Sequence, residues 1–309
     1  MRKPPNRRDF LGLLLGGAAG LSVAPQALRG PSSAIRSTRL SDTLSLFTGA
    51  GGNVVVVTGA DAAAMVNGGL REQSESLLKL VAEETGAKRI QTLINTDWHP
   101  EYTGSNETLG RAGAKIIAHE NTKQYLGNEL YVDWERRTYK PLPRVALPNQ
   151  TFYTSGTLTI GAERIDCAHL GQAHTDAGIY VFCPASNVLM AGGALSVGKY
   201  PIADYTAGGW LGGLIAANKT LLGVAKADTR IVPGIGLLQT RADLQAQHDM
   251  LAALMDRFVK MMKQGLGPDD ILAAAPTKDF DEKWGSPERF VSTAYRSMWL
   301  HVRELGGIV

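Results

Sequence analysis

Asp97, His99 and Glu101 stand at alternate positions in the stretch from Asn95 to Asn106, which reads N-T-D-W-H-P-E-Y-T-G-S-N. In an extended segment successive side chains point to opposite sides, so these three would converge on one side, with Trp98 and Pro100 on the other. Two carboxylates and an imidazole on one edge are the donors of a metal site, or the acid and base of a proton-transfer site. An apolar run with the pattern of a buried strand, Ile90 to Ile94, precedes the stretch, and a helix candidate, Glu107 to Arg111, follows it. The chemistry therefore sits on a strand-to-helix loop, where binding and catalytic groups concentrate.

The elements that must hold this loop can be read on either side of it. Leu44 to Phe47, Asn53 to Thr58 and Ala63 to Val66 give three short strands separated by glycine-rich turns. Gln73 to Thr85 is amphipathic at helical spacing, with Leu77, Leu78, Leu80 and Val81 on its apolar face and Gly86 to end it. Ala114 to Ala118 is a further strand, closed by H-E-N-T. Trp134 to Leu147, basic and proline-bearing, reads as a surface loop or flap beside the site. Thr157 to Ile160 and Arg164 to Ala168 form a hairpin pattern, and strands at Ile179 to Cys183 and Val188 to Ala191 follow the block G-Q-A-H-T-D-A-G. Arg241 to Met262 is a long amphipathic helix and Pro268 to Ala274 a shorter one. Ser286, as cap, and Pro287, in the first turn, open a last helix. Alternating strands and helices predict a layered α/β domain.

The loop resembles the signature of the metallo-β-lactamase superfamily, N-T-H-x-H-x-D-H-x-G-G-N. On that pattern Asp97 takes the place of the first His, His99 is kept, Glu101 replaces Asp, and Tyr102 replaces the last His. Two further blocks carry the resemblance. Gly171 to Gly178 is similar to G-x-A-H-T-x-G-D, with His174 present and Gly178 in place of the Asp. The following V-L-M-A-G-G puts Gly193 where the family has a bridging Asp. Ile231 to Gly236 matches V-P-G-H-G except that Ile235 replaces the His, and V-N-G-G puts Asn67 where V-D-x-G is expected. For Asn67 a tight turn is reason enough. The resemblance runs through residues 40 to 240 and implies an αββα sandwich with its site at one edge, followed by a C-terminal helical tail at 241–309.

The resemblance also implies a ligand set, and here that set is altered. The first ion's ligands become Asp97, His99 and His174; the second ion's positions become Glu101, Tyr102, Gly193 and Ile235. Glycine and isoleucine donate nothing and a neutral tyrosine donates poorly, which argues against a two-metal site. Two imidazoles and a carboxylate with open positions suit a single zinc or another divalent metal. Three readings follow. In the first, the chain is a mononuclear, metal-dependent hydrolase acting on a small molecule, with Glu101 and Tyr102 as catalytic groups and Glu101 as general base or fourth ligand. In the second, the sandwich is a non-catalytic binding module without metal. In the third, the same side chains form a metal-free acid/base cluster. His119, His169, His248 and His301 read as structural or surface residues, and Asp176 as a residue that accepts a backbone bond.

Arg2, Lys3, Arg7 and Arg8 precede Phe10 and a weakly apolar, Gly- and Ala-rich stretch. This looks like a twin-arginine signal peptide over 1–27, followed by a linker at 28–39, and predicts a periplasmic or secreted protein. The signal's four basic residues and one acidic residue account for the whole net charge of +3. The rest of the chain is near neutral and offers no footprint for nucleic acid. No run of eighteen apolar residues follows, so no stable membrane span is expected once the signal is removed. Cys167 and Cys183 lack C-x-x-C spacing; two buried free thiols are the expectation, with a disulfide the alternative.

Overall fold

The computed structural model describes residues 34–307. The signal segment read at 1–27 lies outside them, as does the first half of the linker. Among the described residues no helix is long and apolar enough to cross a membrane.

The described residues begin with an antiparallel meander of four strands, β1 (Arg36–Arg39), β2 (Leu44–Thr48), β3 (Val54–Thr58) and β4 (Ala63–Val66). The end of the segment expected to be linker is thus an edge strand. Helix α1 (Ser74–Thr85) then crosses over to β5 (Thr92–Ile94), which pairs parallel to β4. Two short helices, α2 (Pro100–Thr103) and α3 (Asn106–Arg111), lead to β6 (Lys115–His119), again parallel. Helix α4 (Glu120–Gly127) follows, then a small hairpin of β7 (Leu130–Val132) and β8 (Arg137–Tyr139), and β9 (Gln150–Phe152) closes the seven-stranded sheet. The stretch expected as a loop or flap at Trp134 to Leu147 therefore carries a paired strand. Its Tyr139 and Leu142 pack with Trp98 and Leu126, burial that a solvated loop would lack.

The second sheet has five strands: β10 (Ser155–Ile160), β11 (Glu163–His169), β12 (Ile179–Cys183), β13 (Val188–Gly192) and β14 (Arg230–Pro233). The first four are antiparallel. Between β13 and β14 runs α5 (Leu211–Val224), and the pairing there is parallel, as a helical crossover requires. The tail consists of α6 (Arg241–Lys263), α7 (Pro268–Ala273), α8 (Asp281–Trp284) and α9 (Glu288–Leu300). Thr240 and Asp243 form a capping box at the start of α6. At α9 the expected serine cap is absent: no side chain caps the helix, and the Ser286 hydroxyl bonds the Glu288 carboxylate instead.

Strand alternation sorts the core into layers. Leu46, Val55, Val57, Val66 and Ile94 meet Ile165, Cys167, Val181 and Met190 between the two sheets. The opposite face of the first sheet, with Phe47, Val54, Val56 and Met65, packs on Leu77 and Val81 of α1. The outer face of the second sheet, with Leu189 and Ile231, packs on α5 and on Leu251, Phe258, Ile271 and Phe290 of the tail. This is the αββα sandwich, and the tail belongs to its outer layer. Cys167 and Cys183 are both buried and free, and burial pushes the Cys167 thiol up to about 12, which leaves it inert.

Candidate metal centre

The loop after β5 is held by its own amides. Asn95 donates to the Tyr102 carbonyl (2.9 Å) and exchanges bonds with Asn106, which also reaches the Ala146 carbonyl (3.0 Å). The Asn67 side-chain oxygen accepts from both the backbone and the hydroxyl of Thr96, each at 2.9 Å. Asn67 itself sits in the left-handed region (φ 65°), the turn conformation that Asn tolerates. A neutral amide oxygen meets both donors, so no charge is needed at that position.

Asp97 and His99 converge as their spacing predicts, but Glu101 does not continue the alternation. Pro100, at the first position of α2, turns the chain into a helix directly after His99. Glu101 and Tyr102 then line, with His99, a cavity of about 570 Å³.

His174 comes in from the loop between β11 and β12. One donor atom from each of Asp97, His99 and His174 lies within 4.8 Å of the others. Each ligand is tied from behind. The Nδ1 of His174 bonds the Ile202 carbonyl (2.7 Å), which leaves Nε2 for a ligand. Asp97 Oδ2 accepts from the Thr175 hydroxyl (2.7 Å), and Oδ1 accepts from the Trp98 amide (2.6 Å).

His99 lies between two carboxylates. Its Nδ1 is 3.0 Å from Asp97 and its Nε2 3.6 Å from Oδ2 of the fully buried Asp204. That nitrogen and that oxygen have no hydrogen-bond partner. A ligand bond through Nδ1 would leave the Nε2 proton to Asp204, the arrangement in which an outer carboxylate orients a ligating imidazole. Burial alone would lower the affinity of His99 for a proton, yet Asp204 and Asp97 together hold it well above the ordinary value. For Asp97, burial opposes ionisation but is outweighed by the bond to His99 and the nearby His174, so its carboxyl stays below the usual range. The set is therefore one carboxylate and two imidazoles, each with an outer partner, and it fits one divalent ion.

The family model of the metallo-beta-lactamase superfamily matches residues 47–236, more than half of the chain. The chain belongs to the metallo-beta-lactamase superfamily. A metallo-beta-lactamase type 2 from Bacteroides fragilis is 29% identical over 141 residues, 44% of this chain and 51% of that protein. The chain thus spans about half the length of the curated relative it matches. Among solved structures, the metallo-beta-lactamase from Pontibacter korlensis superposes with a TM-score of 0.58 at 19% identity. It covers 71% of this chain and 99% of its own. The DIM-1 metallo-beta-lactamase gives 0.57 at 17%, covering 71% and 98%. At these identities the structures speak for the fold.

Against the superfamily pattern, the positions of the second ion are filled by other groups. A Cβ on Gly193 would lie 2.5 Å from Cδ2 of His174, so the ring occupies the room that an Asp side chain there would need. A Cβ on Gly234 would lie 2.2 Å from the Tyr102 hydroxyl. Tyr102 is buried, and burial, then Glu101 and Asp97, hold its hydroxyl protonated far above neutral pH. Ile235 is exposed and lines the cavity.

Several functional residues escape a sequence reading. The Asp204-x-Thr206 spacing signals a local turn, and Asp204 Oδ1 does accept from the Thr206 amide. Nothing in that spacing shows its other oxygen facing His99. The cavity wall formed by Ser286, Glu288, Arg289 and Phe290 depends on how α9 docks. Asp176 accepts from the Tyr125 hydroxyl (2.9 Å) rather than from backbone. His119 serves as the side-chain cap of α4, as a structural histidine should.

Proposed function

We propose that the chain is an exported, mononuclear metal-dependent hydrolase of small molecules, its ion held by Asp97, His99 and His174. The observation that carries this is the outer support: the Thr175 hydroxyl and the Ile202 carbonyl hold Asp97 and His174 from behind, and the Asp204 carboxylate faces His99. A divalent ion there would supply Lewis acidity and lower the pKa of a water to about 7. Glu101 lines the cavity beside His99, where its carboxylate would serve as the general base. The Tyr102 hydroxyl, kept protonated, is a donor toward the same space. Lys199 and Arg289 on the far walls give an anionic group of a substrate a place to rest.

One observation favours a metal-free binding module instead: His99 Nδ1 and Asp97 Oδ1 already bond to one another, so an ion must displace that contact. Elemental analysis and zinc calorimetry on the purified protein, with Asp97→Ala and His174→Ala, decide between them. Near-stoichiometric zinc lost in both variants, with circular dichroism intact, supports the hydrolase reading. Equal metal content in all three ends it. Cell fractionation, with Arg7 and Arg8 both changed to Lys, tests export.

A further inference from the structure

The side chain of Trp98 stacks on His99, with ring centroids 4.1 Å apart. It also lines a second cavity of about 520 Å³, whose walls share no residue with the first. Three of those walls are aromatic: Tyr125 lies 5.8 Å from Trp98, and Tyr139 lies 5.1 Å away, edge-on. Both phenol groups are committed elsewhere, Tyr125 to Asp176 and Tyr139 to Glu135.

Two polar groups remain unspent. The Trp98 indole N–H is buried, on a residue only 2% exposed, and has no partner. A buried donor left unpaired costs about 1–3 kcal/mol. At the rim Arg71 pairs with Glu107 (2.9 Å) and Lys140 with Glu129. Arg137 has no carboxylate partner among the described residues, and its guanidinium lies over the Tyr139 ring, 4.6 Å from the centroid. Aromatic walls with a few convergent polar groups, in a space of this size, are the makeup of a small-molecule site.

We propose that this cavity binds a planar aromatic carboxylate. Its ring would pack against the aromatic wall that the partly exposed Tyr125 and Tyr139 present, and its carboxylate would pair with Arg137.

The test is calorimetric titration of the purified full chain with quinoline-6-carboxylate, whose nitrogen and carboxylate are too far apart to chelate a metal. Binding at one site is expected, weakened about tenfold in the exposed rim variant Arg137→Gln, as loss of a charge-assisted pair implies. It should vanish in Leu142→Trp, which fills the cavity, and stay unchanged in Lys199→Ala, which alters only the other cavity. No saturable heat up to the probe's solubility overturns the proposal. So does full-strength binding to Arg137→Gln or Leu142→Trp, or binding that depends on Lys199. Arg137 is exposed and unpaired, so its variant keeps the test valid even if Leu142→Trp fails to fold.

Discussion

The two halves of the site mouth have been treated differently. Asp97 and His174 are hydrogen-bonded from behind by the Thr175 hydroxyl and the Ile202 carbonyl, and the carboxylate of Asp204 faces His99. At residues 102 and 193 the room has been filled, by a phenol at the first and by the His174 ring beside the second, while Ile235 is exposed. A polar site without its ion is costly unless its groups find partners. The first half keeps its donors in place with Thr175, Asp204 and a carbonyl, whereas the second has exchanged donors for packing. The lesson is that losing donors in one half need not loosen the arrangement of the other.

The contrast can be broken most directly at the ligands. Asp97→Ala or His174→Ala should lower zinc affinity by at least about a hundredfold, more than an outer-shell change achieves. Asp204→Asn, which leaves all three ligands intact, should still cost about tenfold to a hundredfold, because His99 loses the carboxylate that orients it. An unchanged affinity by competition titration would mean that Asp204 serves the fold alone. In the filled half, Gly193→Asp should not recruit a second ion. It should instead destabilise the protein by about 1–3 kcal/mol in urea unfolding, because its Cβ meets the His174 ring.

A smaller effect is expected at His119, outside both halves. Burial, then the charge of the stacked His169, lowers its pKa from the ordinary 6.5 to about 4. Between those values the unfolded chain takes up a proton that the folded chain refuses. Stability should therefore fall on acidification through that window, and this contribution is gone below about pH 4. His119→Asn should flatten the slope in pH-dependent urea unfolding.

Much of the fold was legible because its strands are unambiguous. The V-V-V-V run of β3 is buried throughout, and Leu44 to Val66 reads as a meander from spacing alone. The motif also foretold that Asp97, His99 and His174 come together. Helix α5 was missed because Gly212 and Gly213 sit in its first turn and its propensity is poor there. Burial of Leu214, Leu221 and Leu222 against the second sheet overrides that. The position of Glu101 was misjudged by extending a strand period through Pro100, whose place at a helix start was itself a signal. Asp204 and the α9 wall could not be read, since both act through contacts that local pattern does not encode.

The docking of α9 has a consequence for how the molecule comes into being. The floor of the larger cavity is built from residues 99 to 235, while one wall waits for residues 286 to 290. A ribosome therefore finishes the metal cradle well before it finishes the chamber above it. The chamber is complete only once the last helix has been made and docked.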